Sequence, residues 1–135
     1  MRPATVLILT AAASACASST VSEPRTARAE TELQTALAGK VAGAPVKCLP
    51  SFRTNDMSII DDNTILFRDG RNRVYRNDPP GGCSPMGGAG YTLVTRSITG
   101  QMCRGDIVRV VDLSSKITAG SCSLGDFIPH ETAAG

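Results

Sequence analysis

The chain divides by its hydrophobic rhythm. An apolar run over residues 4–15 follows a basic start at Arg2 and ends in small residues. Residues 17–31 are rich in Ser, Thr, Ala and charge, with no aromatic side chain, a pattern that reads as a flexible tether. Leu33, Leu37 and Val41 then recur at every fourth position. That spacing predicts one short helix over about 32–42, favoured at its start by Glu30 and Glu32 and ended by Gly39 or Gly43. From Cys48 onward the pattern becomes strand and turn. Apolar runs at 57–60, 64–68, 73–76, 91–95 and 106–113, with shorter ones near 121 and 127–128, predict β-strands. Between them lie Asp61-Asp62-Asn63 and Asp69-Gly70-Arg71-Asn72, whose side chains hydrogen-bond their own backbone in turns. Asp78-Pro79-Pro80-Gly81-Gly82 cannot continue a central strand and opens a long loop through Gly90.

These elements predict a single mainly β domain over 32–130, with 131–135 as a C-terminal tail. Its architecture is a small disulfide-stapled barrel or twisted antiparallel meander of five to seven short strands, preceded by one short helix. Composition sharpens this. Three Phe, two Tyr and no Trp leave Ile, Leu and Val to build the core, so covalent staples carry physical weight. The 135 residues hold 14 basic and 12 acidic side chains. A balance so close to neutral excludes a general nucleic-acid binder, whose footprint is strongly basic.

The N-terminal run is shorter than the ~20 residues that span a bilayer, so residues 1–15 read as a signal peptide rather than a membrane helix. Ala13-Ser14-Ala15-Cys16 resembles the lipobox of bacterial lipoproteins, which implies lipidation at Cys16 and a tether over 16–31. Ala13 stands where that pattern most often has Leu. A cut after Ala17, at Ala15-Cys16-Ala17, is the alternative. In such lipoproteins Asp after the cysteine goes with inner-membrane retention; Ala17 here implies the periplasmic face of the outer membrane, or a soluble periplasmic protein if Cys16 is removed.

Of five cysteines, Cys16 is then the odd one, and four remain for disulfides in an exported chain. Three pairings are open, and loop entropy separates them too little to choose. The placement of turns favours nesting, Cys48 with Cys122 around the β region and Cys83 with Cys103 across the 91–95 strand. A zinc site is the rival for four thiols, but no Cys-x-x-Cys pair is present.

Several segments together are similar to a family of small exported proteobacterial proteins classed as a domain of unknown function. They are Leu37-Ala38-Gly39-Lys40-Val41-Ala42-Gly43, Asp61-Asp62-Asn63-Thr64-Ile65-Leu66-Phe67, Val74-Tyr75-Arg76-Asn77, Cys103-Arg104-Gly105-Asp106-Ile107 and Cys122-Ser123-Leu124-Gly125-Asp126-Phe127. The resemblance spans roughly 37–130 and implies export and a stapled scaffold, without an activity.

No catalytic set stands out. His130 is the single histidine and has no identifiable partner in the sequence. Gly-x-Ser-x-Gly and His-Glu-x-x-His are absent. Asp56, Asp61 and Asp62 could present carboxylates together for hydrolysis or calcium, although two of them sit in a turn. Arg68, Arg71, Arg73 and Arg76, with Tyr75, form a basic concentration that could meet an anionic glycan or lipid; Asp69 and Asp78 within the same stretch argue for a self-neutralised face. The chain therefore reads as a non-catalytic envelope lipoprotein without cofactor or metal, a binding or accessory module. Its partners are the membrane through Cys16 and an envelope protein or anionic glycan. An inhibitor of a secreted hydrolase such as lysozyme, with the 81–90 loop as its inserting segment, is the second reading, and a hydrolase built on the Asp cluster the third.

Overall fold

The structure is a computed structural model that describes residues 24–50 and 56–133. It is mainly β, with one helix, two sheets and two disulfides. The helix α1 is Ala27–Leu37, and the strands are β1 Lys40–Ala42, β2 Met57–Asp61, β3 Thr64–Asp69, β4 Arg73–Asn77, β5 Tyr91–Thr95, β6 Ile107–Asp112, β7 Thr118–Ser123 and β8 Phe127–Thr132. Antiparallel pairing gives a five-stranded sheet in the order β1-β8-β4-β3-β2 and a three-stranded sheet in the order β5-β6-β7. Among the described residues the sheets do not close into a barrel, and β2-β3-β4 is the predicted meander.

The helix lies earlier than its apolar spacing suggests. Thr26 caps it, its hydroxyl accepting from the Ala29 amide at 3.2 Å, and Gly39, at φ +69°, turns the chain out of it. Val41 continues the four-residue spacing by coincidence and belongs to β1. The described part of the expected tether, 24–31, is consequently structured, and Glu131 and Thr132 of the expected tail belong to β8, which pairs with β1 through Thr132.

Three layers result. Leu33 and Ala29 of α1 pack on Ile60, Leu66 and Val74. On the opposite face Ile65, Phe67, Tyr75 and Phe127 meet Leu93, Val108 and Val110 of the smaller sheet. Because side chains alternate across a strand, β3 is covered on both sides: Thr64, Ile65, Leu66 and Phe67 are all buried. Phe67 and Phe127 meet edge to face, with ring centroids 5.6 Å apart, the arrangement aromatic quadrupoles favour.

The chain crosses between the sheets at two fastened places. Segment 43–49 bridges to β8 through Val46 and Phe127, and to the smaller sheet's approach through Cys48 and Cys103. The corner from β7 to β8 is held by buried Asn77, whose side chain donates to the Gly125 carbonyl at 2.8 Å and accepts from its amide at 2.9 Å.

The disulfides are Cys48–Cys103 and Cys83–Cys122, a crossed pairing that replaces the nested Cys48–Cys122 and Cys83–Cys103. Cys48 and Cys103 are direct partners in an antiparallel bridge. Cys122 faces inward opposite Val108 of β6, above the loop that carries Cys83. Turn positions could not reveal this, because both partnerships depend on how the sheets stack. In the chain-entropy picture, separations of 55 and 39 residues are each worth about 4 kcal/mol.

Two outcomes follow from these joints. A non-reducing peptide map yields Cys48 linked to Cys103 and Cys83 linked to Cys122; a fragment joining Cys48 to Cys122 contradicts the stacking. Asn77→Ala leaves both Gly125 groups buried without partners and lowers stability by about 2–3 kcal/mol in urea unfolding.

Candidate functional site

The strongest polar construction gathers around the β2–β3 turn. Arg25, just ahead of α1, places its Nε 2.5 Å from Asp61 Oδ2 and donates from Nη2 to Thr64 Oγ1 at 2.6 Å. Its Nη1 lies 3.6 Å from Glu30. Thr64 is fully buried and its hydroxyl donates a hydrogen bond to Asp78 Oδ1 at 2.9 Å. Both Asp78 oxygens also accept from Arg76, at 3.0 and 2.9 Å. A continuous series from Glu30 to Arg76 thus ties the start of α1 to three strands.

The 81–90 loop closes on the same turn. The Cys83 amide donates to the Asp62 carbonyl at 2.6 Å, the Gly87 amide to Asp62 Oδ1 at 2.6 Å, and Met86 is buried in the core. At Gly87 a Cβ would stand 2.7 Å from the Asp62 nitrogen and 2.9 Å from Asp61 backbone atoms, so only glycine permits this approach. Within the 81–90 loop, the expected inserting segment, Cys83, Met86 and Gly87 are fastened to the domain, and Gly88, Ala89 and Gly90 are exposed.

Between α1 and the loop runs a cleft in two adjoining hollows. One, of about 370 Å³, is lined by Pro24, Arg25, Asp61, Asp62 and Gly87 among others. The second, of about 380 Å³, lies between Arg28, Ala29 and Glu32 of α1 and the Met86, Gly87, Gly88, Ala89 and Tyr91 side, over Ile59 and Ile60. Thr26, Ile60, Gly87 and Gly88 line both. Its floor is β2, the last strand of the five-stranded sheet.

The structure separates the sequence-predicted candidates. Asp56 precedes β2 and Asp61 ends it, five residues or roughly 16 Å along an extended strand. Asp61 is committed to Arg25 and to the Asn63 amide, and Asp62 to Gly87. The three acids therefore form no common site, and among the described residues no group of three His, Cys, Asp or Glu side chains is placed to hold a metal. Arg68, Arg71, Arg73, Tyr75 and Arg76 do not assemble either. Arg76 shares the helix-side face with Val74, whereas Tyr75 is buried toward the smaller sheet, with Arg73 on that side. Arg73 is paired with Glu131 at 2.6 Å and Asp69 at 3.7 Å, and Arg76 with Asp78. Arg68 and Arg71 are exposed, and Arg71 lies in the β3–β4 turn.

His130 pairs with Val74 across β4 and β8. Burial first, and the Arg76 guanidinium second, push its pKa below the ordinary 6.5, so it is neutral at pH 7. Asp106 of Arg104-Gly105-Asp106 accepts from the Cys103 amide at 2.8 Å and belongs to the turn. Cys16 lies outside the described residues. Arg25, Arg28, Glu32 and Tyr91, which frame the cleft, carry no local signal of a site; their convergence depends on contacts such as Arg25 with Asp61, 36 positions apart.

The cleft thus combines the edge of β2 as its floor, Gly87, Gly88 and Ala89 along one wall, and a charged rim of Arg25, Arg28, Glu32 and Asp62. The chain matches no protein-family model, no curated protein and no solved structure.

The most perturbed carboxylate lies away from the cleft and serves a turn. Asp112 accepts from the Ser114 hydroxyl at 2.6 Å and from the Ser115 and Ser114 amides at 2.9 and 2.8 Å. The Ser114 hydroxyl first, then the two amides, lower its pKa from 3.8 to about 2. Its folded-state pKa is the lower one, so the linked stability is complete above pH 3.8 and is lost as pH falls through about 2. Carboxyl NMR titration finds this low midpoint, and Ser114→Ala moves it up toward 3.8.

Proposed function

We propose that the chain is a cell-envelope lipoprotein, anchored through a lipid on Cys16 at the periplasmic face of the outer membrane, and that its β domain is a non-catalytic binding module. The observation that carries the reading is the pair of disulfides, Cys48–Cys103 and Cys83–Cys122. Such bonds persist in oxidising compartments, which agrees with an export signal over residues 1–15. With four cysteines bridged, Cys16 is the one left for acylation. The resemblance to small exported proteobacterial proteins points the same way. No helix among the described residues is long and apolar enough to cross a membrane.

Binding rather than catalysis is supported by the use of the polar groups. Asp61 and Asp62 are occupied by structural hydrogen bonds, and the histidine sits on the sheet among Val74 and Ala42 as its strand neighbours. The cleft along β2 is the natural binding surface. An envelope protein suits it better than an anionic glycan, because its lining holds carboxylates as well as guanidiniums.

Expression of the full precursor with labelled palmitate tests the anchor. The wild-type chain incorporates label and fractionates with outer membranes, and Cys16→Ser loses both. Equal labelling and fractionation of the variant refutes the lipoprotein reading and leaves a soluble periplasmic protein.

A further inference from the structure

We propose that the cleft is a strand-addition site, in which an extended peptide segment of an envelope protein, bearing a basic side chain, pairs with the outer edge of β2. The proposal rests on reading the domain as a binding module and names the class of its partner.

The edge itself is the first ground. β2 ends the five-stranded sheet, and among the described residues no other segment makes a backbone hydrogen bond to Met57–Asp61 from outside. A strand in that position directs backbone amides and carbonyls outward, a template for another chain, with the regular alternation interrupted by the bulge between Ile59 and Asp61. Of the β2 residues, Ile59, Ile60 and Asp61 line the cleft, which at about 3.3 Å each gives some 10 Å of edge, room for about three residues of an extended segment.

The cleft walls are the second ground. α1 stands on one side and the 87–89 stretch, Gly-Gly-Ala, on the other. Backbone without bulky side chains lets a second backbone approach closely. Gly87 cannot lean away, being held by Asp62, so the wall is preformed and little ordering is needed on binding. Below, the half-buried Ile59 and Tyr91 offer apolar surface to side chains of the peptide, while the main chain supplies the pairing.

Charge selects among peptides. Arg25 and Asp61 neutralise each other within the cleft. Of the remaining charged lining residues, Asp62 and Glu32 are acidic and Arg28 is basic. Neither Glu32 nor Arg28 enters an ion pair among the described residues. An excess of carboxylate at the rim favours a lysine or arginine on the incoming strand.

The test uses the oxidised mature chain with Cys16→Ser and a fluorescent heptapeptide alternating valine and threonine around one lysine. Saturable anisotropy is expected, with amide shifts concentrated in Ile59–Asp61 and residues 87–91. Replacing the peptide lysine by glutamate, or N-methylating alternate peptide nitrogens, weakens binding about tenfold or more. Ala89→Trp fills the cleft from an exposed position and abolishes binding with an unchanged melting temperature, and Glu32→Lys weakens it several-fold. The proposal is overturned by an absence of saturable binding up to about 1 mM, by equal binding of the N-methylated peptide, or by shifts centred elsewhere. It is equally overturned if the free protein already protects the outward β2 amides from exchange, because the edge is then filled by its own chain. Palmitate labelling at Cys16 is independent of the cleft, so failure here leaves the anchor standing, and failure there leaves the peptide site standing.

Discussion

Burial of β3 on both faces is the constraint around which the domain is arranged. A chain with three Phe and no Trp has few large side chains with which to exclude water, and it compensates by using one strand twice. Ile65 and Phe67 serve the core between the sheets, and Leu66 serves the core under α1. Two-sided burial requires two covering layers, so neither α1 nor the three-stranded sheet is an accessory. The joints follow from the same need. The crossed disulfides, the Asn77–Gly125 pair and the bridge from Val46 to Phe127 all lie where separate layers must be held in one stack.

The polar series from Glu30 to Arg76 has a different task. It does not add apolar area; it fixes where the end of one layer sits relative to another. Arg25 draws the start of α1 to the β2–β3 turn, and Asp62 draws Gly87 to the same turn from the other side. The gap between the two attachments is the cleft. Its dimensions are therefore set by hydrogen bonds at the turn together with the packing of α1 on Ile60 and of Met86 in the core.

Much of the β pattern was legible because it is local. Alternation and turn residues located β2, β3, β4, β5 and β6 within a residue or so, since Asp61-Asp62-Asn63 and Asp69-Gly70-Arg71-Asn72 carry their turn chemistry in place. The short β1 was hidden because Val41 continued a helical spacing that Gly39 had already ended. Cysteine partners were illegible for a deeper reason: Cys48 meets Cys103 and Cys83 meets Cys122 only through the stacking of two sheets. The basic concentration failed as a patch because β4 sends Arg73 and Arg76 to opposite faces. The cleft was invisible in the sequence, as it is made by α1, an edge strand and a loop that share no motif.

The attachment of Arg25 also governs geometry beyond the domain. A leash running from Cys16 to the helix expected near residue 32 would span sixteen residues and reach at most about 55 Å. With Arg25 held to Asp61, the chain length from Cys16 to Pro24 spans at most about 28 Å. Halving the radius cuts the volume that an anchored domain sweeps roughly eightfold. A domain tied at Cys16, as proposed, is thereby confined to a thin shell above its bilayer, with the Pro24 end of the cleft nearest the lipid. Under that proposal its partners would be molecules that come to the membrane surface, not those that stay in the middle of the compartment.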